Sequence, residues 1–413
     1  MAGFCKIDIK GRDLLMRIAI LNHYASIPQM GSSETRHFEL AKRFAKDGHT
    51  VDIYVGEYSH LNREKWTNVY KEDFQIQDIE FFVVKTREYR SNSLSRFLSS
   101  YDYFKNGKEK IIKNEYDIVI SSSPHPFSWS LGWYYCKRKK AKFIIEIRDV
   151  WPDDLVSLKM MNYSHPVARF FSYMCKKYYP KAHQIISLVP DLSQHFNRLG
   201  LKDREIQYIP NGVDFEIFQN PTPSTDVDEI FSKLPSGIKV VYAGSIVPHN
   251  GVKEFLELLN QVDQTVARKF VFIFVGPAQK EYLLQIKAMA KDNVFFFNPI
   301  TKTSIPYLFS KSDVLLFTLS ETQMNNPAVS SYKVLDYMAS GKPILSVDID
   351  GLLFKSTDGA VFYKNNDHMS LQTALEKISS QDLSESVKRN VQYIVQERTW
   401  DTLYEKFKNI IFS

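Results

Sequence analysis

Between Asn325 and Leu345 the chain reads NNPAVSSYKVLDYMASGKPIL, and residue types in this order could hold a diphosphate. A loop ends at Ser330-Ser331, a short helix follows, Gly341 caps it, and Pro343 stops it before a strand resumes. The exposed N–H groups of residues 328 to 331 would lie at the positive end of the helix dipole, where an anion is favoured. Asp336 falls about five to six residues into the helix, roughly 8 to 9 Å along its axis. That is near the offset of a ribose from its pyrophosphate, so the carboxylate could accept hydrogen bonds from ribose hydroxyls. Lys333 shares its face three residues earlier. The competing reading of Lys333 and Asp336 is an ordinary, weak surface ion pair.

Three further places carry residues of chemical interest. His125, in Ser123-Pro124-His125-Pro126, follows a strand. Its neutral imidazole could hydrogen-bond a bound substrate, or it is a loop residue without a role. Asp149, in Glu146-Ile147-Arg148-Asp149, is a candidate acceptor-hydroxyl ligand or base; it could equally cap the next helix or pair with Arg148. Asp153 and Asp154 read as helix-start acids. Asn211, Gly212 and Asp214 form a turn signal that any loop can use. One Asp-x-Asp occurs, Asp348-Ile349-Asp350, a pattern able to hold a divalent cation against a diphosphate. It reads better as solvated loop acids, and no metal site is expected.

The elements that must position these groups alternate strand-like apolar runs with helix-period segments, the pattern of parallel sheets covered by helices on both faces. A first series runs through strands at Arg17 to Asn22, Thr50 to Val55, Asp117 to Ser121, Lys142 to Ile147 and Gln184 to Ser187, with helices over Glu34 to Lys46 and Phe170 to Tyr179. A second follows Pro210-Asn211-Gly212, with strands at Lys239 to Ala243, Phe270 to Val275, Val294 to Phe296, Val314 to Phe317 and Ile344 to Val347. Phe218 to Ser236, rich in Pro, Ser, Thr and Asp, is expected to link them. The expected division is an extension over 1–15, an amino-terminal domain over 16–218, a carboxyl-terminal domain over 237–395, and a helix over 396–413 returning to the first domain.

At 413 residues the chain exceeds what one core organises, so two domains of roughly 200 residues each are the natural expectation. The charge is +6, from 53 basic and 47 acidic residues, too small for a general nucleic-acid binder. Cys5, Cys136 and Cys175 are odd in number and lack metal-ligand spacing, which suits a reducing, cytoplasmic compartment. Apolar runs are strand-sized, far below the roughly 20 residues of a membrane span. Cations are concentrated locally: Trp133 to Lys142 hold five basic residues and no acid, and Arg169 to Lys181 hold four and no acid. Trp133, Arg138, Lys139, Lys176 and Lys177, interleaved with other aromatics, would suit an interfacial surface over anionic lipid. A solvated helix face over core aromatics is the equal alternative.

Taken together, these motifs resemble the family 4 glycosyltransferases of GT-B fold, especially the O-antigen and capsule branch of N-acetyl-fucosamine type. The likeness rests on the Lys, the acid with Tyr-Met-Ala and the Gly-Lys-Pro of residues 333 to 343. It rests also on Gly31-Ser32-Ser33, Ser123-Pro124-His125-Pro126, Ile147-Arg148-Asp149-Val150-Trp151-Pro152, Pro210-Asn211-Gly212-Val213-Asp214 and Tyr242-Ala243-Gly244. The resemblance implies an α/β protein of two Rossmann-like domains facing each other across a cleft. Gly31, Ser32, Asn211, Gly244, Ser330, Ser331, Lys333 and Asp336 would serve the donor, and His125 and Asp149 the catalysis.

It further implies a retaining transfer, without cofactor or metal, from a UDP-linked sugar to a polyprenyl-diphosphate-linked saccharide at the inner face of the cytoplasmic membrane. This chain departs from the family in three places. Ala328 stands where the first of two acids is usual, Ser331-Tyr332 where Pro-Ser is usual, and Ser245 where an Arg commonly follows the glycine. A nucleotide-sugar epimerase of the same fold, or a weakly active donor- or lipid-binding subunit, are the rival readings.

Overall fold

The computed structural model describes residues 15–27, 35–58, 65, 73–89, 94–157, 159–202, 204–320 and 332–413. Two compact units emerge: one runs to Pro210 and takes in Lys406–Ser413, and the other comprises Asn211–Glu405.

The first unit is built on β1 (Arg17–Leu21), β2 (Thr50–Gly56), β3 (Asp73–Ile76), β4 (Ile79–Val84), β5 (Ile118–Ser122), β6 (Lys142–Ile147), β7 (Gln184–Ser187) and β8 (Gln207–Tyr208). Their order in the sheet is β3-β4-β2-β1-β5-β6-β7-β8. All neighbours are parallel except the β3–β4 hairpin. Parallel strands are covered on both faces and read as continuous apolar runs. Val119, Ile120, Phe143, Ile144 and Ile145 are accordingly all buried. The helix Arg36–Lys46 buries Phe38, Leu40, Ala41 and Phe44, the stripe expected of its 3.6-residue period.

The second unit carries β9 (Ile238–Ala243), β10 (Phe270–Val275), β11 (Val294–Phe297), β12 (Val314–Phe317), β13 (Ile344–Val347) and β14 (Val361–Tyr363). They form an all-parallel sheet in the order β11-β10-β9-β12-β13-β14. Each sheet reverses its winding once, at β1 between β2 and β5 and at β9 between β10 and β12. The carboxyl ends of strands at such switch points are where open α/β sheets bind ligands. They lie at Asn22-His23 in one unit and at Gly244 in the other.

The segment Phe218 to Ser236, expected to be a linker, is instead structural. It holds the helix Thr225–Ser232, whose Val227 and Ile230, with Phe218 before it, enter the second unit's core. Its polar composition is that of a helix start, with Ser224 at the N-cap and Asp226 and Asp228 in the first turn. The final helix, Trp400–Phe412, begins beside Val213, whose carbonyl accepts from Trp400 N. Its last turns belong to the first unit, where Phe407 meets Phe44 at 6.2 Å and Lys408 pairs with Asp47.

Candidate active site

At the end of β9 the backbone turns through Gly244, and at the end of β10 through Gly276. The two glycines pack so closely that a Cβ on Gly276 would lie 1.9 Å from the Gly244 carbonyl oxygen. A cavity of about 570 Å³ opens there, lined by Gly244, Ser245, Asn250, Lys302, Lys333 and Asp336 among others. Gly251, at φ +71°, starts the helix Val252–Leu259 with its backbone against Leu319, a Cβ there meeting the Leu319 carbonyl carbon at 2.4 Å. Gly276→Ala is therefore expected to cost about 1–3 kcal/mol by overpacking. It should also narrow the cavity, read together as a lower denaturation midpoint and weaker UDP binding.

The helix Tyr332–Ala339 delivers two ionisable side chains to this cavity. Lys333 Nζ donates to the Tyr242 hydroxyl at 3.0 Å and lies 4.3 Å from that ring's centre. The hydroxyl in turn donates to the Ser245 carbonyl at 2.8 Å, which also accepts from Asn250 Nδ2 at 2.6 Å. Burial pulls the Lys333 ammonium down to about 7. Burial likewise pushes the Asp336 carboxyl up to about 6, opposed by the charge of Lys302. Behind them Tyr337 Oη donates to the Leu316 carbonyl at 3.1 Å and accepts from Ala243 N at 3.2 Å. This ties the helix to the ends of β9 and β12. Lys333 and Asp336 thus reach the same cavity as Gly244.

Ser330, Ser331, Gly31 and Ser32 lie outside the described residues. Asn211 opens the second unit, is buried, and its Oδ1 has no hydrogen-bond partner among the described residues. It does not line the cavity. Gly212 beside it backs onto Trp400 and Leu403, 2.9 Å from where a Cβ would stand.

In the first unit the sheet's carboxyl edge gathers His125 and Asp149. Ser123 Oγ accepts from the backbone N–H of Arg148 at 2.8 Å and of Asp149 at 3.2 Å, joining the two loops. Asp149 is exposed. His125 is not: its ring is buried, bonded through Nε2 to His23 Nδ1 at 2.8 Å. Burial, reinforced by Arg96, lowers its pKa to about 3. The imidazole is therefore neutral at physiological pH.

Beneath this edge lies a network that motif reasoning missed. The Glu146 carboxylate accepts from Arg36 Nε at 2.7 Å, from His37 Nε2 at 2.7 Å and from Ser122 Oγ at 2.9 Å. Asn22 Oδ1 accepts from Tyr24 N at 3.0 Å, so its amide nitrogen is the one that donates to His37 Nδ1, at 2.9 Å. That assigns the His37 proton to Nε2, facing Glu146. Arg36 Nη1 donates to the Pro210 carbonyl at 2.6 Å. A glutamate following the apolar run Phe143–Ile145 in the strand KFIIEI is the signal that could have revealed it, since a buried carboxylate demands partners elsewhere.

The two cationic stretches separate. Lys139 is paired with Glu115 at 2.5 Å, and Arg138 lies 3.8 Å over Tyr134. Trp133 is half-buried against Phe143, with Lys181 over its ring at 5.5 Å. Lys176 and Lys177, on the helix Pro166–Tyr178, are exposed. Asp348 and Asp350 are both held by Lys355, at 2.6 and 2.8 Å. Among the described residues no group of three or more His, Cys, Asp or Glu side chains could hold a metal, and no helix is long and apolar enough to cross a membrane.

Comparison with known proteins agrees with this architecture. The family Glycosyltransferase Family 4 matches residues 33–217, and the family Glycosyl transferases group 1 matches residues 226–397. A relative from Bacillus subtilis (strain 168), TuaH, named as a glycosyltransferase of teichuronic acid biosynthesis, is 22% identical over 205 residues. That match covers 49% of this chain and 49% of TuaH, so the chain spans about half the length of the curated relative. Among solved structures, sucrose-phosphate synthase from Thermosynechococcus elongatus superposes with a TM-score of 0.70 at 15% identity, covering 96% of this chain and 98% of the other. Anabaena HepE, solved with UDP and glucose, gives 0.67 at 13% identity, with 96% and 100% covered. In its two paired family domains and in the fold they build, the chain belongs to the GT-B glycosyltransferases.

Proposed function

We propose that this protein transfers a sugar, with retention of configuration, from a UDP-linked donor to a lipid-linked saccharide in surface-polysaccharide assembly at the inner membrane face. The observation that carries the donor half is the joint exposure of Lys333 and Asp336 to one cavity at the β9 switch point. Lys333 meets the diphosphate and Asp336 accepts from the ribose hydroxyls. No protein nucleophile is needed if the acceptor attacks from the face the diphosphate leaves, with the donor phosphate taking the acceptor's proton. Charge growing on the leaving diphosphate is then the principal load, met by fixed N–H groups and Lys333. HepE, solved with UDP and glucose, and TuaH, named for teichuronic acid biosynthesis, support the donor class and the pathway class respectively.

The test combines binding and turnover. UDP binding by titration calorimetry should weaken about tenfold or more in Asp336→Ala, the loss of a hydrogen-bonded charged group. Unchanged affinity removes Asp336 from the site. Acceptor-dependent UDP release from a UDP-sugar supports transfer; epimerised donor without release overturns it.

A further inference from the structure

Opposite charges three residues apart on a helix are within reach of each other, and Lys333 and Asp336 are so spaced on the helix Tyr332–Ala339. Paired, they would neutralise each other and leave little charge for a ligand. In the structure the Lys333 ammonium is turned to a tyrosine of the sheet. Tyr242, next to last in β9, places its hydroxyl 3.0 Å from Lys333 Nζ. The cation whose charge acts on the Asp336 carboxyl is Lys302.

The direction of the Tyr242–Lys333 hydrogen bond is set by what lies on the other side of the phenol. A phenol has a single proton, and Tyr242 donates it to the Ser245 carbonyl at 2.8 Å. Burial holds this hydroxyl well above the usual phenol range, so the proton stays in place and the oxygen accepts from the ammonium. The Ser245 carbonyl is itself braced. It accepts from Asn250 Nδ2 at 2.6 Å, and the Asn250 carbonyl accepts from Thr318 Oγ1 at 2.6 Å, just past the end of β12. The Tyr242 ring is fully buried and packs on Phe274 at 5.7 Å. A fixed acceptor thus faces a long, flexible cation.

Other contacts hold the ammonium at the same place. The Tyr242 ring centre lies 4.3 Å from Nζ and the Phe317 ring centre 5.9 Å, both within cation–π range. A Cβ on Gly244 would stand 2.8 Å from Lys333 Cε and Nζ alike, so the glycine is what lets the side chain lie against the backbone there. Burial works against the charged amine, and a phenol oxygen beside it favours the charge at this one point. Tyr242 itself is not among the described residues that line the cavity, so it reaches a ligand through Lys333.

We infer that Tyr242 is a positioning residue for the donor: its phenol oxygen holds the Lys333 ammonium at the Gly244 end of the cavity, where the diphosphate is met, and away from the Asp336 carboxylate. Both charged groups are thereby kept for the ligand. This deepens the donor reading above and rests on it.

The test is a double-variant cycle read by calorimetric titration with UDP. Tyr242→Phe removes only the hydroxyl. The ring keeps its packing and the Ser245 carbonyl keeps its Asn250 donor, so Tm should stay within about 5 °C of wild type. UDP should bind Tyr242→Phe about 3- to 10-fold more weakly, the range of one hydrogen bond. In the Lys333→Met background the same change should have no further effect. Tyr337→Phe loosens the same helix from behind the cavity and should weaken binding by the same factor in either background.

Wild-type affinity in Tyr242→Phe overturns the inference. So does an equal loss from Tyr242→Phe in both backgrounds, which would make the hydroxyl merely structural. A Tyr337→Phe loss that also vanishes with Lys333→Met overturns it too, since any loosening of the helix would then suffice. Each of these results leaves Lys333→Met weakened and the donor reading intact. Wild-type affinity in Lys333→Met instead removes the ammonium from the donor site, and the inference falls with that reading.

Discussion

Lys333→Met is expected to raise the dissociation constant for a UDP-sugar by about 10- to 150-fold, because a hydrogen bond to a charged group contributes about 1.5–3 kcal/mol. Its effect on turnover should be larger, about 100- to 1,000-fold, if the ammonium also meets charge on the departing diphosphate. The pH dependence follows from the cavity itself. Burial sets Lys333 near 7 and Asp336 near 6 in the free protein. Above about pH 7 Lys333 must take up a proton for the diphosphate to bind, so affinity falls as pH rises, by up to about tenfold per unit. Below about pH 6 the Asp336 carboxyl takes up a proton and ceases to accept from both ribose hydroxyls, so affinity falls again.

The diphosphate of a UDP-sugar stays fully ionised across this range, so neither limb belongs to the group that Lys333 meets. Calorimetry from pH 5 to 9 should give a narrow maximum between the two values. Lys333→Met should abolish the alkaline limb alone and Asp336→Asn the acid limb alone. A flat profile in the wild type would show that neither group titrates against the donor.

The same cavity shows why part of the site could be read from the residues and part could not. β6, β7, β10, β12 and β13 run as expected, because strands buried on both faces must be continuous apolar runs. Lys333 and Asp336 were legible because helical spacing alone puts them on one face. What spacing cannot supply is environment. Whether Lys333 would meet Asp336 or Tyr242 depends on β9, ninety residues away in the chain, and only the packed structure shows Tyr242 accepting from the ammonium. His125 was placed correctly at the end of β5, yet its burial against His23 comes from the distant end of β1. The Thr225–Ser232 helix was hidden for a different reason: Ser, Thr and Asp signal a helix start as readily as a loop.

The largest stability effect should come from the same class of long-range contact. Glu146 and Arg36 are fully buried, with side-chain exposures of 0% each, and their pairing survives only because every neighbour contributes. Burial pushes the Glu146 carboxyl up, but Arg36 and His37 outweigh it and hold it well below the usual range. A depressed folded-state value means that the pair stabilises the protein above the unfolded carboxyl's value of about 4.3 and loses this as pH falls below it.

Glu146→Gln leaves the Arg36 charge buried without its counter-ion, a loss expected to cost about 3–5 kcal/mol. For a unit of this size that lowers Tm by about 6 to 20 °C. Replacing both, as Arg36→Met/Glu146→Leu, removes the stranded charge and should recover much of the loss, since apolar pairs of similar volume often match a buried ion pair. The recovery should be incomplete, because His37 and Ser122 lose their acceptor and Pro210 loses its donor. UDP affinity is expected to stay at the wild-type level in both variants, as the donor cavity is built wholly within the other unit. Differential scanning calorimetry distinguishes the outcomes. A double variant less stable than Glu146→Gln would mean that Arg36 holds the Pro210 carbonyl more importantly than it neutralises Glu146, so that the network's chief load is the chain's exit from the first unit.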